Sequence, residues 1–174
     1  MYSATRSIKS LAAFLLVFFA FSAAANAQEK TAPQILTESA AAKIVPSSFY
    51  FAGQSAPTQM RNSAVAVLGK DRHIIAGLVD TSGYSTEISG KYEGFLITDS
   101  PVNLGDRTLG TGAYGFGFSP NGKLNVFDLS SKEIMSVATK SDAEMKRPRP
   151  LMMSVAANGV RFYKGKNYVL ISAK

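Results

Sequence analysis

Three glycines, Gly110, Gly112 and Gly115, have the G-x-G-x-x-G spacing of a dinucleotide-binding loop. Such a loop binds pyrophosphate because a strand leads into it and a helix follows, so that backbone N–H groups point at the phosphates. The continuation in this chain is Phe-Gly-Phe-Ser-Pro, which is a poor start for a helix, and the run before Gly110 is short and polar. We therefore interpret these glycines as room for close packing and expect neither a nucleotide site nor a cofactor.

Nucleophilic catalysis and metal binding find little support in the residue types. Ser55 lies in Gly-Gln-Ser-Ala-Pro, which differs from a nucleophile elbow by the proline at its last position. The base would have to be His73, which is the one histidine of the chain. Because the sequence contains no cysteine, thiol catalysis and thiolate metal sites are excluded. The sequence predicts neither a catalytic triad nor a metal site.

Carboxylates provide the main catalytic alternative. A glycosidase needs two of them about 5 to 10 Å apart across a cleft. The acidic candidates are Asp80, Glu87, Glu93, Asp99, Asp106 and Asp128. Most of them fall at predicted strand ends or turns, where solvated acids are common, and their spacing pairs no two of them. A hydrolase that acts on cell-envelope material through paired carboxylates is therefore the alternative hypothesis to a protein without catalysis.

Basic residues concentrate near one end of the chain. From residue 146 to residue 174 there are seven basic side chains and no acidic one. The predicted polyanion-binding residues within this region are Lys146, Arg147, Arg149, Arg161, Lys164 and Lys166. The Lys-Arg-Pro-Arg-Pro run resists regular structure and should present its charges on an extended segment. We expect this region to contact an anionic cell-envelope component or an acidic protein, and we expect no nucleic acid as a partner.

An aromatic strand accompanies the glycines. Tyr114, Phe116 and Phe118 alternate with Ala113, Gly115 and Gly117, which predicts three rings on one face of a strand and an almost bare backbone on the other. The following Ser-Pro-Asn-Gly is typical of a tight turn that leads into a return strand. The three rings are expected to line either the core or a small apolar pocket.

The first 27 residues have the features of an export signal. Arg6 and Lys9 precede an uncharged run from residue 11 to residue 25, and Ala25-Asn-Ala27 fits a cleavage site. That run is shorter than the roughly 20 apolar residues of a membrane-spanning helix, so no transmembrane span is expected after cleavage. Without these residues the chain has 17 basic side chains instead of 19. Against 12 acidic side chains this gives the remaining chain a net charge of +5. The predicted location is the periplasm or the cell exterior.

The remaining chain predicts an all-β fold. Residues 28–48 form an N-terminal segment with a short helix, which Thr31 would cap and Pro46 would end. Residues 49–174 contain short β-prone runs separated by turn residues, among them the Asn158-Gly159 hairpin signal. We expect a single antiparallel sandwich or barrel of about eight to nine strands.

Four stretches, in their order along the chain, resemble those of uncharacterised bacterial exported proteins of similar length. These stretches are Phe51 to Ser63, Ala76 to Tyr84, Gly112 to Phe118 and Lys146 to Leu151. The resemblance implies a small secreted domain and brings no activity or site residue with it. From the residues themselves we expect a non-catalytic binding or structural domain of the cell envelope, with an anionic or small apolar ligand.

Overall fold

The computed structural model describes residues 32–70 and 72–174. They form two antiparallel sheets and two helices of one turn each. The strands are β1 (Gln34–Ile35), β2 (Ser48–Phe51), β3 (Gln54–Val67), β4 (His73–Val79), β5 (Gly94–Thr98), β6 (Val102–Leu104), β7 (Arg107–Leu109), β8 (Gly112–Ser119), β9 (Lys123–Phe127), β10 (Glu133–Ala138), β11 (Lys140–Ser141), β12 (Arg149–Ala156), β13 (Gly159–Gly165) and β14 (Asn167–Ala173). The helices are α1 (Glu38–Ala41) and α2 (Thr86–Ser89).

The two sheets differ in size. The large sheet has the order β1-β3-β4-β5-β8-β9-β10, with β2 paired to one end of β3. The small sheet has the order β12-β13-β14-β6-β7, with β11 paired to β14. The predicted all-β fold is confirmed, and its form is sandwich-like. The predicted number of eight to nine strands is wrong, because several two- and three-residue segments pair with a neighbour without forming a recognisable run in the sequence.

One face of the large sheet packs on the small sheet, and we call it the core face. The side chains buried between the sheets are mostly aliphatic, with Phe116 and Phe162 fully buried among them. Those from the large sheet include Ile74, Leu96, Leu124, Val126 and Val137, and those from the small sheet include Leu104, Leu151, Val160, Val169 and Ile171. Burial of this apolar surface, at roughly 25 cal/mol per Å², is the main force that holds the sheets together.

The opposite face of the large sheet, which we call the outer face, is also covered. A second cluster joins Phe49 and Phe51 of β2 to Tyr84 and Tyr92 of the segment around α2, and to Phe95 of β5. The rings of Phe51 and Tyr92 stack with their centroids 3.9 Å apart, and those of Phe49 and Phe95 with theirs 4.8 Å apart. The large sheet is therefore a middle layer, which explains why its strands carry apolar residues on both faces.

The hairpin of β8 and β9 lies inside the large sheet, as its composition predicted. β8 pairs with β5 on one side and with β9 on the other, and β9 pairs in turn with β10. The turn between them closes as predicted: the N–H of Gly122 donates to the carbonyl of Ser119 over 3.1 Å, and the φ of Gly122 is 74°. From Lys132 to Thr139 the sequence fits a strand or a helix and favours the strand, and the structure has β10 there.

The N-terminal helix begins later than predicted. Its N-cap is Thr37, whose hydroxyl accepts the N–H of Ala40, and α1 ends before Pro46. The residues ahead of it, Gln34 and Ile35, pair with β3 as a strand. Thr31 and the predicted signal peptide lie outside the described residues.

The long strand β3 and the region after residue 140 also differ from the predictions. The sequence predicts a strand from Ser63 to Leu68 after a break at Pro57, whereas β3 begins at Gln54 and includes Pro57, because β2 pairs with this first part of β3. The register then shifts between Thr58 and Ser63, where the exposed residues bulge out of the sheet. The composition from Ser141 to Lys146 would also allow a single helical turn, but the structure has the end of β11 and its following turns there. No helix within 32–70 and 72–174 is long and apolar enough to cross a membrane.

Candidate functional site

An open cleft of about 620 Å³ lies at one end of the sandwich. Three chain segments form it: residues 118–120 at the β8–β9 turn, residues 148–150 at the start of β12, and residues 164–167 at the β13–β14 turn. The first segment belongs to the large sheet and the other two to the small sheet. The cleft therefore lies where the ends of the two sheets meet, and the turns and strand ends of both sheets determine its shape.

Apolar rings form part of its walls. Phe118 is half-buried, and its ring centroid lies 6.0 Å from that of Phe116 and 5.6 Å from that of Phe162. The pyrrolidine rings of Pro120, Pro148 and Pro150 are exposed at the other sides. Phe118 is held by the core behind it, so the cleft has a rigid aromatic wall at no additional ordering cost.

Three cations border the cleft, and they differ in their surroundings. Arg149 and Lys166 are exposed, and within the described residues neither makes an ion pair with a carboxylate. Lys164 is half-buried and pairs with Glu93. Burial lowers the pKa of Lys164, because an ammonium is less well solvated there than in water.

Glu93 holds the end of the large sheet in place behind Lys164. One carboxylate oxygen, Oε1, pairs with the Lys164 ammonium. The other oxygen, Oε2, accepts the N–H of Phe118 over 2.9 Å, and the N–H of Glu93 donates to the carbonyl of Phe116. These bonds replace the strand pairing that β8 loses where β5 begins at Gly94. Sequence reasoning grouped Glu93 with possible catalytic acids and missed this role, since its partners lie far away along the chain.

Arg161 does not belong to this site. It lies on the side of the small sheet that faces away from the core, where its guanidinium lies 4.9 Å from the ring centroid of Tyr168. Its Nη1 is 3.4 Å from Asp142 Oδ2 and 3.3 Å from the hydroxyl of Tyr163, which itself donates to Asp142 over 2.8 Å. Lys146 and Arg147 are exposed on the segment that leads into the cleft but do not line it. Of the six predicted cations, the structure therefore brings together Arg149, Lys164 and Lys166.

The three predicted aromatic residues also separate. Phe116 is fully buried between the sheets, and its ring packs edge-to-face on that of Phe162 at 5.1 Å. Tyr114 is half-buried and donates its hydroxyl to the carbonyl of Gly110 over 3.0 Å, while burial raises its pKa. Phe118 alone of the three lines the cleft. The glycine-rich stretch from Gly110 continues into β8, which is a strand, so the helix that a dinucleotide loop requires does not follow it.

Ser55 lies near the start of the long strand β3, whereas His73 lies on β4, opposite the other end of β3. Ser55 pairs with Tyr50 at its start, and His73 pairs with Val67 at its end. The imidazole Nδ1 of His73 is instead 3.0 Å from Asp99 Oδ2, and the same carboxylate accepts the backbone N–H of His73. Among the described residues no group of three His, Cys, Asp or Glu side chains is placed to hold a metal ion.

Three other candidate acids, Asp80, Asp128 and Glu87, are each engaged by groups close to them along the chain. Asp80 accepts the N–H of Ser82, and this bond lowers its pKa. Asp128 accepts the hydroxyl and N–H of Ser130 and the N–H of Lys132, and the hydroxyl lowers its pKa most. A general acid needs a raised pKa, so these shifts have the wrong sign for that role. Glu87 pairs with Lys91 in the next turn of chain, at 3.8 Å.

No family model, curated protein or solved structure matches this chain.

Proposed function

We propose that the protein is a non-catalytic binding domain of the cell envelope and that the cleft holds an anionic ligand. The observation that carries this proposal is the pairing of apolar walls with exposed cations. Arg149 and Lys166 border the cleft without a carboxylate partner in the described part of the chain, and Phe118 and three prolines provide surfaces for the body of a ligand. Ligand sites commonly combine apolar walls with a few polar groups that fix orientation.

Charge around the cleft supports an anion over a neutral ligand. The sequence from residue 146 to residue 174 has no acidic residue, so the segments 148–150 and 164–167 contribute positive charge alone. Such a field attracts anions from a distance and increases their association rate. Arg147 and Lys146, on the segment leading into the cleft, add to this field without contacting the ligand. The location in the envelope rests on the N-terminal signal pattern and belongs to the same proposal.

Retention on immobilised heparin, a model polyanion, tests the proposal. Reversing two charges with Arg149→Glu and Lys166→Glu should weaken heparin binding by about tenfold, because each rim charge contributes up to about 1 kcal/mol. The matched control reverses Lys43 and Arg61, which are exposed and do not line the cleft. Both double variants have the same net charge. An equal loss in the two would show attraction by net charge alone and would reject a site at the cleft.

A further inference from the structure

The Lys164 side chain lies between the Glu93 carboxylate and the cleft. Its ammonium pairs with Glu93 on the inner side, and its side chain lines the cleft on the other. The side chain is 37% exposed, whereas that of Glu93 is 25% exposed and does not line the cleft. An anion that enters the cleft therefore meets a lysine whose charge is already partly neutralised from behind.

Glu93 cannot simply move aside for a ligand. Its second oxygen accepts the N–H of Phe118, which has no strand partner on that side because β5 begins at Gly94. Removal of this acceptor would leave the backbone N–H of Phe118 without a partner, which destabilises the fold. The carboxylate thus stays in place when a ligand binds, and the ligand must share Lys164 with it.

The start of β12 limits the kind of ligand. A peptide that adds as a strand needs regularly spaced N–H donors along the edge that it joins. Pro148 and Pro150 have no N–H, so this segment offers only Arg149 as a donor among three residues. Their pyrrolidine rings and the ring of Phe118 instead present apolar surfaces, on which the C–H face of a sugar ring can pack. A ligand that competes with a resident carboxylate also needs strongly charged groups.

We propose that the Glu93 carboxylate competes with the ligand for the Lys164 ammonium and thereby sets the affinity and selectivity of the cleft. The ligand is a saccharide that bears sulfate or phosphate groups. This inference rests on the proposed function, because it assumes that the cleft binds anions. Repulsion from the Glu93 carboxylate weakens the binding of every anion that approaches Lys164. A saccharide with several sulfate or phosphate groups compensates for this repulsion through Arg149 and Lys166, whereas one that carries only isolated carboxylates does not.

The test measures binding of a heparin hexasaccharide, which is sulfated, and of a hexagalacturonate, which carries carboxylates alone. The wild type should bind the heparin hexasaccharide at least about tenfold more tightly. Glu93→Gln keeps an acceptor for the Phe118 N–H but removes the charge, and it should tighten heparin binding by about fivefold. Glu93→Asp is a second variant, which draws the carboxylate back from Lys164 and should tighten binding by roughly twofold. Because it also draws the acceptor back from the Phe118 N–H, urea denaturation confirms that the variant is folded before binding is measured.

Two controls isolate the role of Lys164. Glu87→Gln removes one negative charge at an exposed site, and it should change binding by less than about twofold. In a Lys164→Gln background, Glu93→Gln should no longer tighten binding, because the competition concerns that ammonium. An unchanged affinity in Glu93→Gln, or an equal gain without Lys164, would overturn the competitor role while leaving the cleft as the site. A wild type that binds neither saccharide would overturn the proposed function as well.

Discussion

The two faces of the large sheet are filled by opposite means. On the core face, large side chains such as Phe116 project from the sheet and interdigitate with those of the small sheet. On the outer face the strand β8 presents glycines, and side chains or backbone from other segments enter the space that they leave. A Cβ atom at Gly115 would lie 2.3 Å from the ring of Phe51, and one at Gly117 would lie 1.8 Å from the carbonyl oxygen of Lys91.

This difference shows how one strand can serve two layers. The core face tolerates small changes of shape because side chains on both sheets can adjust their rotamers. The outer face depends on empty positions in β8, so its covering segments approach the sheet backbone itself. We expect substitutions that add atoms to the outer face to cost more than those that remodel the core face by the same volume.

Among substitutions that add atoms to the outer face, the largest effect is expected for Gly117→Ala. The added methyl group meets the backbone carbonyl of Lys91, which cannot rotate away as a side chain could. We expect a loss of about 3 kcal/mol or more in the free energy of unfolding, at the upper end of the cost of overpacking. Gly110→Ala is the control, since its Cβ atom would lie 3.7 Å from the Tyr114 hydroxyl, an ordinary contact. Urea denaturation measures both, and equal losses would contradict the proposed distinction.

The next largest effect should be the coupling free energy between Gly115 and Phe51, which a double-mutant cycle measures. Phe51→Ala alone should cost about 3 to 5 kcal/mol, because Phe51 is fully buried. Gly115→Ala alone is also destabilising, since its methyl group would overlap the ring. In the double variant the ring is gone, so Gly115→Ala should cost less there by about 1 to 3 kcal/mol. Strictly additive losses would mean that the ring and the glycine do not depend on each other.

The smallest effect is expected for Tyr92→Phe. The Tyr92 side chain is fully buried, and its hydroxyl makes no hydrogen bond within the described residues, so at pH 7 the variant should differ by no more than about 0.5 kcal/mol. Burial raises the pKa of Tyr92. A phenol with a raised pKa stabilises the fold fully below its unfolded value of about 10, and this contribution is lost as the pH rises through the folded pKa.

Tyr92→Phe should therefore lose less stability than the wild type above about pH 10, although Tyr84, whose pKa burial also raises, keeps some alkaline sensitivity. Urea denaturation at pH 7 and at pH 11 measures the difference. Tyr50→Phe is the control, because Tyr50 is 56% exposed whereas Tyr92 is fully buried. A loss of stability at pH 7 larger than about 1 kcal/mol would indicate a hydrogen bond to this hydroxyl.

The sequence predicted much of the fold, because its strongest signals are local. The alternation in β8 indicated which residues share a face, and Ser-Pro-Asn-Gly indicated the turn. It did not show that Phe51 and Lys91 cover the glycines, because those contacts join segments that are distant along the chain. The strand at Gln54 was missed for a related reason: its pairing with β2 overrides the weak strand propensity around Pro57.

The candidate site could be predicted only in part for the same reason, because contacts between distant segments are not visible in the sequence. Composition indicated a cationic region, but the separation of Arg161 from Arg149 depends on partners that the sequence does not reveal. Asp142 and Tyr163 hold Arg161 on the far side of the small sheet, while Glu93 comes from the large sheet to meet Lys164. Charge can be counted from a sequence, whereas its neutralisation depends on tertiary contacts.

The position of β14 in the small sheet has a consequence for the order of folding. β14 lies between β13, its neighbour along the chain, and β6, whose paired residues precede those of β14 by 67 to 71 positions, from Ile171 with Leu104 to Ala173 with Val102. The β6–β7 hairpin therefore has no partner for its inner edge until β14 arrives. Because closing so long a loop must precede the gain from pairing, we expect refolding in milliseconds to seconds rather than microseconds. During that interval the exposed edge of β6 is the place where two unfinished chains would associate first.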